Sequence, residues 1–255
     1  LSSPDLPEEC GRKAVMLSFL MRRGFPVLPG AVWCGVRLPS FAEWEELARK
    51  IPLPWLLRSS ARTEDAKNAS MAGCYRSEGP LHSPAAAAAA FERVRSIPPA
   101  AVETALHAGV EPGFPAVLVQ TWNDFDAAGV ALVLEGEEVH VEGAFSGNVV
   151  EGGEPEALPA ELESAVAVMA RASARAAGFG DGADMEWGSH RDKEGWHLAL
   201  LQLRPLAASA AVVPPWMRQG TWVLDRAHHP RPLSFLHASV ADLLRQRYGV
   251  SQGTW

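Results

Sequence analysis

Residues 183–206 alternate polar and apolar side chains on both sides of a short turn, and this pattern constrains the fold more than any other in the chain. Asp184 and Glu186 are two residues apart in "ADMEWGSH", so they share one face of a strand. Gln202 and Arg204 have the same spacing in "LALLQLRP". The intervening "DKEG" suits a hairpin loop, so we expect an antiparallel pair with one apolar and one polar face.

The length of the loop determines which polar residues meet. A three-residue loop at 193–195 places Glu186 opposite Gln202. The same loop places Asp184 opposite Arg204. The other face is then a core face, formed by Met185, Trp187, Leu201 and Leu203. Taken alone, the polar face fits either a magnesium–nucleotide site or a solvated surface whose cross-strand ion pair is worth at most about 1 kcal/mol.

The composition narrows the class of protein. A chain of 255 residues with 47% hydrophobic and 21% charged residues forms one large domain or two small ones. The net charge of -7 argues against nucleic acid as the main partner. No apolar run reaches the roughly 18 residues of a membrane span. The three cysteines are odd in number and lack CxxC spacing, which favours free thiols in a reducing, cytoplasmic compartment.

The remaining periodicity predicts an α+β fold. Helices are expected over 11–23, ending at Gly24, and after the N-cap residues Ser40 and Ser83. A longer helix is expected in "PAELESAVAVMARASARAAGFG". Strands are expected in "GAVWC", "PWLLRSS", "FPAVLVQTW", "AAGVALVLEG" and "EEVHVEGAF", in addition to the hairpin. In "PWLLRSS" the strand is expected to stop at Arg58, with the two serines beginning a turn.

Four segments, in order, carry a family resemblance: "GRKAVMLSFLMRRGFPVLPGAV", "LRSSARTEDAKNASMAGCYRS", "VLVQTW" and "DMEWGSHRDKEGWHLALLQLRPL". They resemble the N-terminal ATP-binding domain of phosphoenolpyruvate synthase, pyruvate phosphate dikinase and rifampin phosphotransferase. The second and fourth segments at this spacing are the specific part of the match. The resemblance implies an ATP-grasp fold, with two lobes of mostly antiparallel sheet and the nucleotide between them. It divides the chain into lobes at 1–110 and 111–206 and a connector at 207–255.

The resemblance also implies a role for individual residues. The catalytic, phosphate-binding cations would be Lys13, Arg58 and Arg204. The lid over the phosphates would include Gly73 and Ser77, and Gln120 would lie at the adenine hinge. The nucleotide and Mg²⁺ would be held by Glu186 and Gln202, with Asp184 as a further metal carboxylate.

The function implied is Mg-ATP binding and donation of a phosphoryl group to a histidine on another domain or subunit, for transfer to pyruvate or another small acceptor. His228 and His229 lie in a segment that resembles the family's connector, so the carrier histidine is expected elsewhere. The family's glutamate is replaced near Gly147 or Asn148, which leaves open a degenerate, non-catalytic regulatory or scaffold module. A self-contained kinase acting on a small acceptor is the third hypothesis.

Overall fold

The computed structural model divides the chain into two units, Leu1–Ala210 and Ala211–Trp255. The residues it describes all lie in the first unit. They are residue 1 and residues 6–35, 37–62, 65–66, 69–70, 76–99, 102, 114–134, 138–145, 156–180 and 182–206. The predicted connector at 207–255, with His228 and His229, and the predicted lid residue Gly73 lie outside the described residues.

Sheet one contains four antiparallel strands in the order β1-β6-β2-β5. These strands are β1 (Gly30–Trp33), β2 (Trp55–Ser60), β5 (Ser77–Leu81) and β6 (Ala116–Thr121). Two short strands, β3 (Asp65–Ala66) and β4 (Ala69–Ser70), pair separately. One face of sheet one packs under two helices, α2 (Phe41–Lys50) and α3 (Pro84–Arg95).

Sheet two also contains four antiparallel strands, in the order β10-β9-β7-β8. Its strands are β7 (Ala127–Val133), β8 (Val139–Phe145), β9 (Ala183–Asp192) and β10 (Gly195–Pro205). The long helix α4 (Ala160–Ala177) covers one face and buries Leu162, Val166 and Ala170 in the same cluster as Met185 and Trp187. The helix α1 (Gly11–Arg22) adds Leu17 and Leu20 to this cluster.

The α+β, mostly antiparallel architecture expected from the sequence is therefore confirmed, and local signals explain the helix starts. The Ser40 hydroxyl accepts from the Glu43 backbone N–H, and the Glu43 side chain accepts from the Ser40 N–H, which is a capping box. The Ser83 hydroxyl caps α3 by accepting from the Ala86 N–H, and Pro84 occupies the first position of the helix.

The start of α1 docks on the end of β2. Cys10 precedes the helix and makes no side-chain cap, and Ser60 supplies the missing hydroxyl. The Ser60 Oγ donates to the Cys10 carbonyl at 2.7 Å and accepts from the Ala14 N–H at 3.0 Å. Gly11 has φ +76°, and a Cβ placed there would lie 1.9 Å from the Ser60 carbonyl oxygen. Only glycine allows this close approach, so α1 and β2 are held in direct backbone contact.

The predicted end of β2 is wrong by two residues. Ser59 and Ser60 continue the strand and are almost fully buried, so Arg58 lies within β2 and not at its end. The reason is the docking of α1, which gives the Ser60 side chain partners inside the protein.

The prediction of free thiols is wrong for two of the three cysteines. Cys10 and Cys34 form a disulfide, with a Cα–Cα distance of 5.1 Å. The end of the edge strand β1 lies beside the start of α1, and this proximity allows the bond. Cys74 lies outside the described residues. The cysteines therefore no longer argue for a reducing compartment.

The division into lobes at 1–110 and 111–206 stays a prediction. β6 follows residue 110 yet pairs with β1 and β2, while α1 precedes it and shares the core of sheet two. Of the helices within the described ranges, none is both long and apolar enough to span a membrane.

Gly11→Ala should be strongly destabilising, because it adds a clash to an unfavourable backbone angle. We expect a loss of about 3 kcal/mol in the free energy of unfolding, measured by urea denaturation. Gly24→Ala is the matched control, since Gly24 has φ +82° with no atom within 4 Å of the added Cβ. It should cost only about 1 kcal/mol. Equal losses would contradict the close approach of α1 to Ser60.

Cys34→Ser should lower the free energy of unfolding by about 3 kcal/mol, because the disulfide closes a loop between residues 24 positions apart. A thiol reductant should produce the same loss in the unmodified protein and no further loss in the variant. Both can be followed by thermal unfolding with and without reductant. An unmodified protein that is insensitive to the reductant would show that the bond contributes nothing to stability.

Candidate functional site

Arg58 reaches from sheet one to the polar face of sheet two. Its Nη1 donates to the Leu201 carbonyl at 2.8 Å. Its Nη2 donates to Gln202 Oε1 at 2.9 Å and to Glu186 Oε2 at 3.1 Å. The two charged side chains are only 12% and 16% exposed, so the ion pair is largely shielded from solvent. Residues separated by 128 positions in sequence thus converge at one place.

The hairpin loop that presents these groups is shorter than predicted. Asp192 pairs with Gly195, so the turn consists of Lys193 and Glu194 alone. The Asp192 carboxylate accepts from the Glu194 N–H at 2.7 Å and from the Gly195 N–H at 3.2 Å. These bonds stabilise the tight turn, and the predicted three-residue loop is wrong.

A β-bulge at Leu201 compensates for the short loop. Leu200 pairs with Trp187, and the next paired residue, Gln202, lies opposite Glu186. The predicted Glu186–Gln202 pair is therefore confirmed. The bulge also moves the core position from Leu201, which is half-buried, to Leu200, which is fully buried. The predicted core position of Leu201 is wrong, and its carbonyl instead accepts from Arg58.

The second predicted cross-strand pair, Asp184 with Arg204, is also confirmed. The Arg204 Nε donates to Asp184 Oδ2 at 2.8 Å, and the Arg204 Nη2 contacts the same oxygen. The Asp184 side chain is 15% exposed and that of Arg204 is 28% exposed. This pair lies wholly within the hairpin, whereas the Arg58 contacts join two sheets.

Lys13 lies on α1 and is buried, with 6% of its surface exposed. Its Nζ donates to the Ser59 carbonyl at 3.2 Å, next to Arg58 along β2. Burial of a lysine is costly unless the ammonium is hydrogen-bonded. The docking of α1 on β2 thus brings a second cation close to the strand that carries Arg58.

Ser77 and Gln120, which are also predicted to bind the nucleotide, lie on the two strands that flank β2 in sheet one. Ser77 on β5 is the register partner of Arg58 and is exposed. Gln120 on β6 is the register partner of Leu56, is almost fully buried, and donates from Nε2 to the Leu28 carbonyl at 3.4 Å. Because Leu56 and Arg58 share a face of β2, Gln120 and Ser77 are on the Arg58 face of the sheet.

The oxygen donors of the polar face suit Mg²⁺ in their chemistry. Two carboxylates and one carboxamide, from Asp184, Glu186 and Gln202, share this face, and hard cations prefer such oxygens. Each carboxylate is bonded by an arginine. Within the described ranges no group of three or more His, Cys, Asp or Glu side chains is arranged to hold a metal. The oxygen chemistry of Asp184, Glu186 and Gln202 thus suits a hard cation, and a cation that binds here has to compete with Arg58 and Arg204 for the two carboxylates.

Sequence reasoning missed two contributors to this site, the Leu201 carbonyl and the Ser60 hydroxyl. The bulge left a signal in the pattern of β10, because the core positions change from even to odd numbers between Leu200 and Leu203. Two consecutive leucines mark the change. The role of Ser60 depends on the approach of α1 and left no local signal.

Comparison with known proteins adds information on the fold. No protein-family model matches the sequence, and no curated protein matches it. Among solved structures, an ADP complex of N5-carboxyaminoimidazole ribonucleotide synthetase is similar over 80% of this chain and 47% of its own, with 13% identity and a TM-score of 0.51. The D-alanine–D-alanine ligase of Bacillus anthracis is similar over 80% of this chain and 60% of its own, with 13% identity and a TM-score of 0.50.

The D-alanine–D-alanine ligase of Coxiella burnetii is similar over 82% of this chain and 51% of its own, with 9% identity and a TM-score of 0.50. The chain thus spans about half the length of the enzymes that it resembles. These enzymes are ATP-grasp proteins, and identities this low establish the fold alone. The chain has the ATP-grasp fold.

Proposed function

We propose that this chain binds Mg-ATP between sheet one and sheet two as the phosphoryl-donating part of a dikinase-type phosphotransferase. The contact of Arg58 with Glu186 and Gln202 carries this proposal. It brings a guanidinium suited to phosphate to the same place as oxygens suited to a cation. The resemblance of the four sequence segments to the dikinase family supports the same assignment.

In the proposed site, the three cations Lys13, Arg58 and Arg204 neutralise the phosphates. Phosphoryl transfer depends mainly on positioning and on stabilising the charge of the transferred group, and fixed cations provide both. Mg²⁺, held by Glu186 and Gln202 with help from Asp184, would neutralise phosphate oxygens when bound. By the family resemblance, Gln120 would lie at the adenine hinge, and the lid over the phosphates would include Gly73 and Ser77.

The proposed phosphate acceptor is a histidine of another domain or subunit, which passes the group to pyruvate or another small acceptor. Two histidines of the described ranges lie beside carboxylates. His197 contacts Asp192 at 2.9 Å, and His190 lies 3.8 Å from Asp126. The proposed compartment is the cytoplasm, where ATP is available to the reaction.

A second candidate is a nucleotide-binding module without catalysis. The observation that favours it is the pairing of both metal carboxylates with arginines, which would be retained if no metal enters. Such a module would bind ATP weakly or without a requirement for Mg²⁺. It would also fail to phosphorylate a carrier-histidine domain supplied in trans, whereas the proposed enzyme would label that histidine.

Arg58→Ala should lower the affinity for Mg-ATP at least tenfold, because a charge-assisted phosphate contact contributes roughly 1.5–3 kcal/mol. The affinity can be measured by isothermal titration calorimetry, and millimolar Mg-ATP should raise the melting temperature of the unmodified protein. Arg49→Ala is the matched control, since Arg49 is exposed on α2. It should leave the affinity unchanged.

Two outcomes would contradict the proposal. The first is an unmodified protein whose melting temperature does not respond to any nucleotide at millimolar concentration. The second is a folded Arg58→Ala variant that binds Mg-ATP as tightly as the unmodified protein. Consumption of ATP by this chain alone with a small acceptor would favour a self-contained kinase.

A further inference from the structure

The groups predicted for phosphate and for metal are bonded to one another. Arg58 donates to Glu186 and Gln202, and Arg204 donates to Asp184. Each arginine is therefore balanced by a carboxylate within the protein. A ligand that enters this site must replace these internal bonds, and this requirement affects which ligands can bind.

A polyphosphate without a metal would compete with Glu186 for Arg58. If the polyphosphate displaced Glu186 from Arg58, the Glu186 side chain, which is only 16% exposed, would lose its positively charged partner. Breaking a shielded ion pair by removing one partner is strongly unfavourable. The anion would also approach the Glu186 carboxylate itself, which repels it.

A cation without a polyphosphate meets the reverse problem. It would displace Arg58 from Glu186 and leave a guanidinium that is 12% exposed without its carboxylate. When both ligands enter together, the cation takes the carboxylate and the phosphate takes the arginine. Every charge then keeps a partner, so the combination binds better than either component alone.

We infer that the Arg58–Glu186 pair makes the site selective for a metal-bound polyphosphate over the free polyphosphate, with Glu186 as the specificity-determining residue. This inference rests on the proposed function. Arg58 is the arginine concerned because its three acceptors lie on the other sheet, at the Leu201 bulge and beside it. Arg204 and Asp184 pair within one hairpin, and the Arg204 side chain is more exposed than that of Arg58.

Glu186→Gln tests this inference, because the variant should bind metal-free ATP more tightly, whereas the loss of a binding residue ordinarily weakens binding. Glutamine keeps the size of the side chain and an acceptor for Arg58, but removes the negative charge. The affinity for ATP in the presence of EDTA should rise about tenfold, because free phosphate no longer competes with a carboxylate. The additional affinity that Mg²⁺ gives should largely disappear. Isothermal titration calorimetry with ATP in EDTA and with Mg-ATP measures both quantities.

A residue that served only as a metal ligand would behave differently. Its replacement would lower the affinity for Mg-ATP and leave the affinity for ATP in EDTA unchanged. That result would overturn the inference while leaving the proposed function in place. Absence of Mg-ATP binding by the unmodified protein would overturn both.

Glu142→Gln is the matched control. Glu142 is exposed and lies on the same face of sheet two as Glu186. It is two strands away from Glu186, because Val130 on the strand between them pairs with both residues. Its neutralisation should change the affinity for ATP in EDTA by less than about twofold, since exposed charges at this separation are screened. If Glu142→Gln raised the affinity for ATP in EDTA as much as Glu186→Gln does, the effect would reflect only the total negative charge of the protein. That result would overturn the inference.

Gln202→Glu provides a second variant with the opposite expectation. It places another carboxylate on Arg58, so the affinity for ATP in EDTA should fall and the gain from Mg²⁺ should increase. Thermal unfolding of each variant without ligand identifies which of them are folded. Should Glu186→Gln fail to fold, a folded Gln202→Glu variant with unchanged affinity for ATP in EDTA would overturn the inference.

Discussion

The contact between the Arg58 guanidinium and the polar face of sheet two is the interaction on which the candidate site depends. Three acceptors from β9 and β10 converge on this side chain, which is carried by a strand of the other sheet. The arginine can reach them because β2 continues through Ser60, whose hydroxyl fixes the strand to α1. The absence of a side chain at Gly11 allows that docking. A packing detail at the start of one helix thus positions a charge at the meeting point of two sheets.

Alternation along the chain was enough to predict most of the fold and the composition of the polar face. Strands repeat every two residues, so the spacing of Asp184 from Glu186, and of Gln202 from Arg204, fixed which side chains share a face. The predicted pairs were correct although the predicted loop was one residue too long. The bulge at Leu201 adds one residue to β10 and cancels that error. The change from even to odd core positions in β10 records the bulge in the sequence.

The contacts between distant segments could not be predicted in the same way. Arg58 and Glu186 were both identified as charged ligands, but no local pattern indicates that they bond to each other across 128 positions. The disulfide is a similar case. An odd number of cysteines without metal spacing favoured free thiols, and only the fold reveals that β1 ends beside α1. Sequence periodicity reports which face a residue occupies, whereas its partner depends on how the elements pack.

The two arginine–carboxylate pairs have different consequences for a ligand, because they connect different parts of the structure. Arg204 and Asp184 belong to adjacent strands of one hairpin, whose backbone pairing holds them together with or without the ion pair. Arg58 and Glu186 belong to different sheets, so the ion pair is part of what holds the two sheets at that point. A charged ligand that replaces the first pair leaves the backbone pairing of that hairpin in place. A ligand that replaces the second pair also takes over a connection between the sheets, so its charge affects both binding and the contact between them.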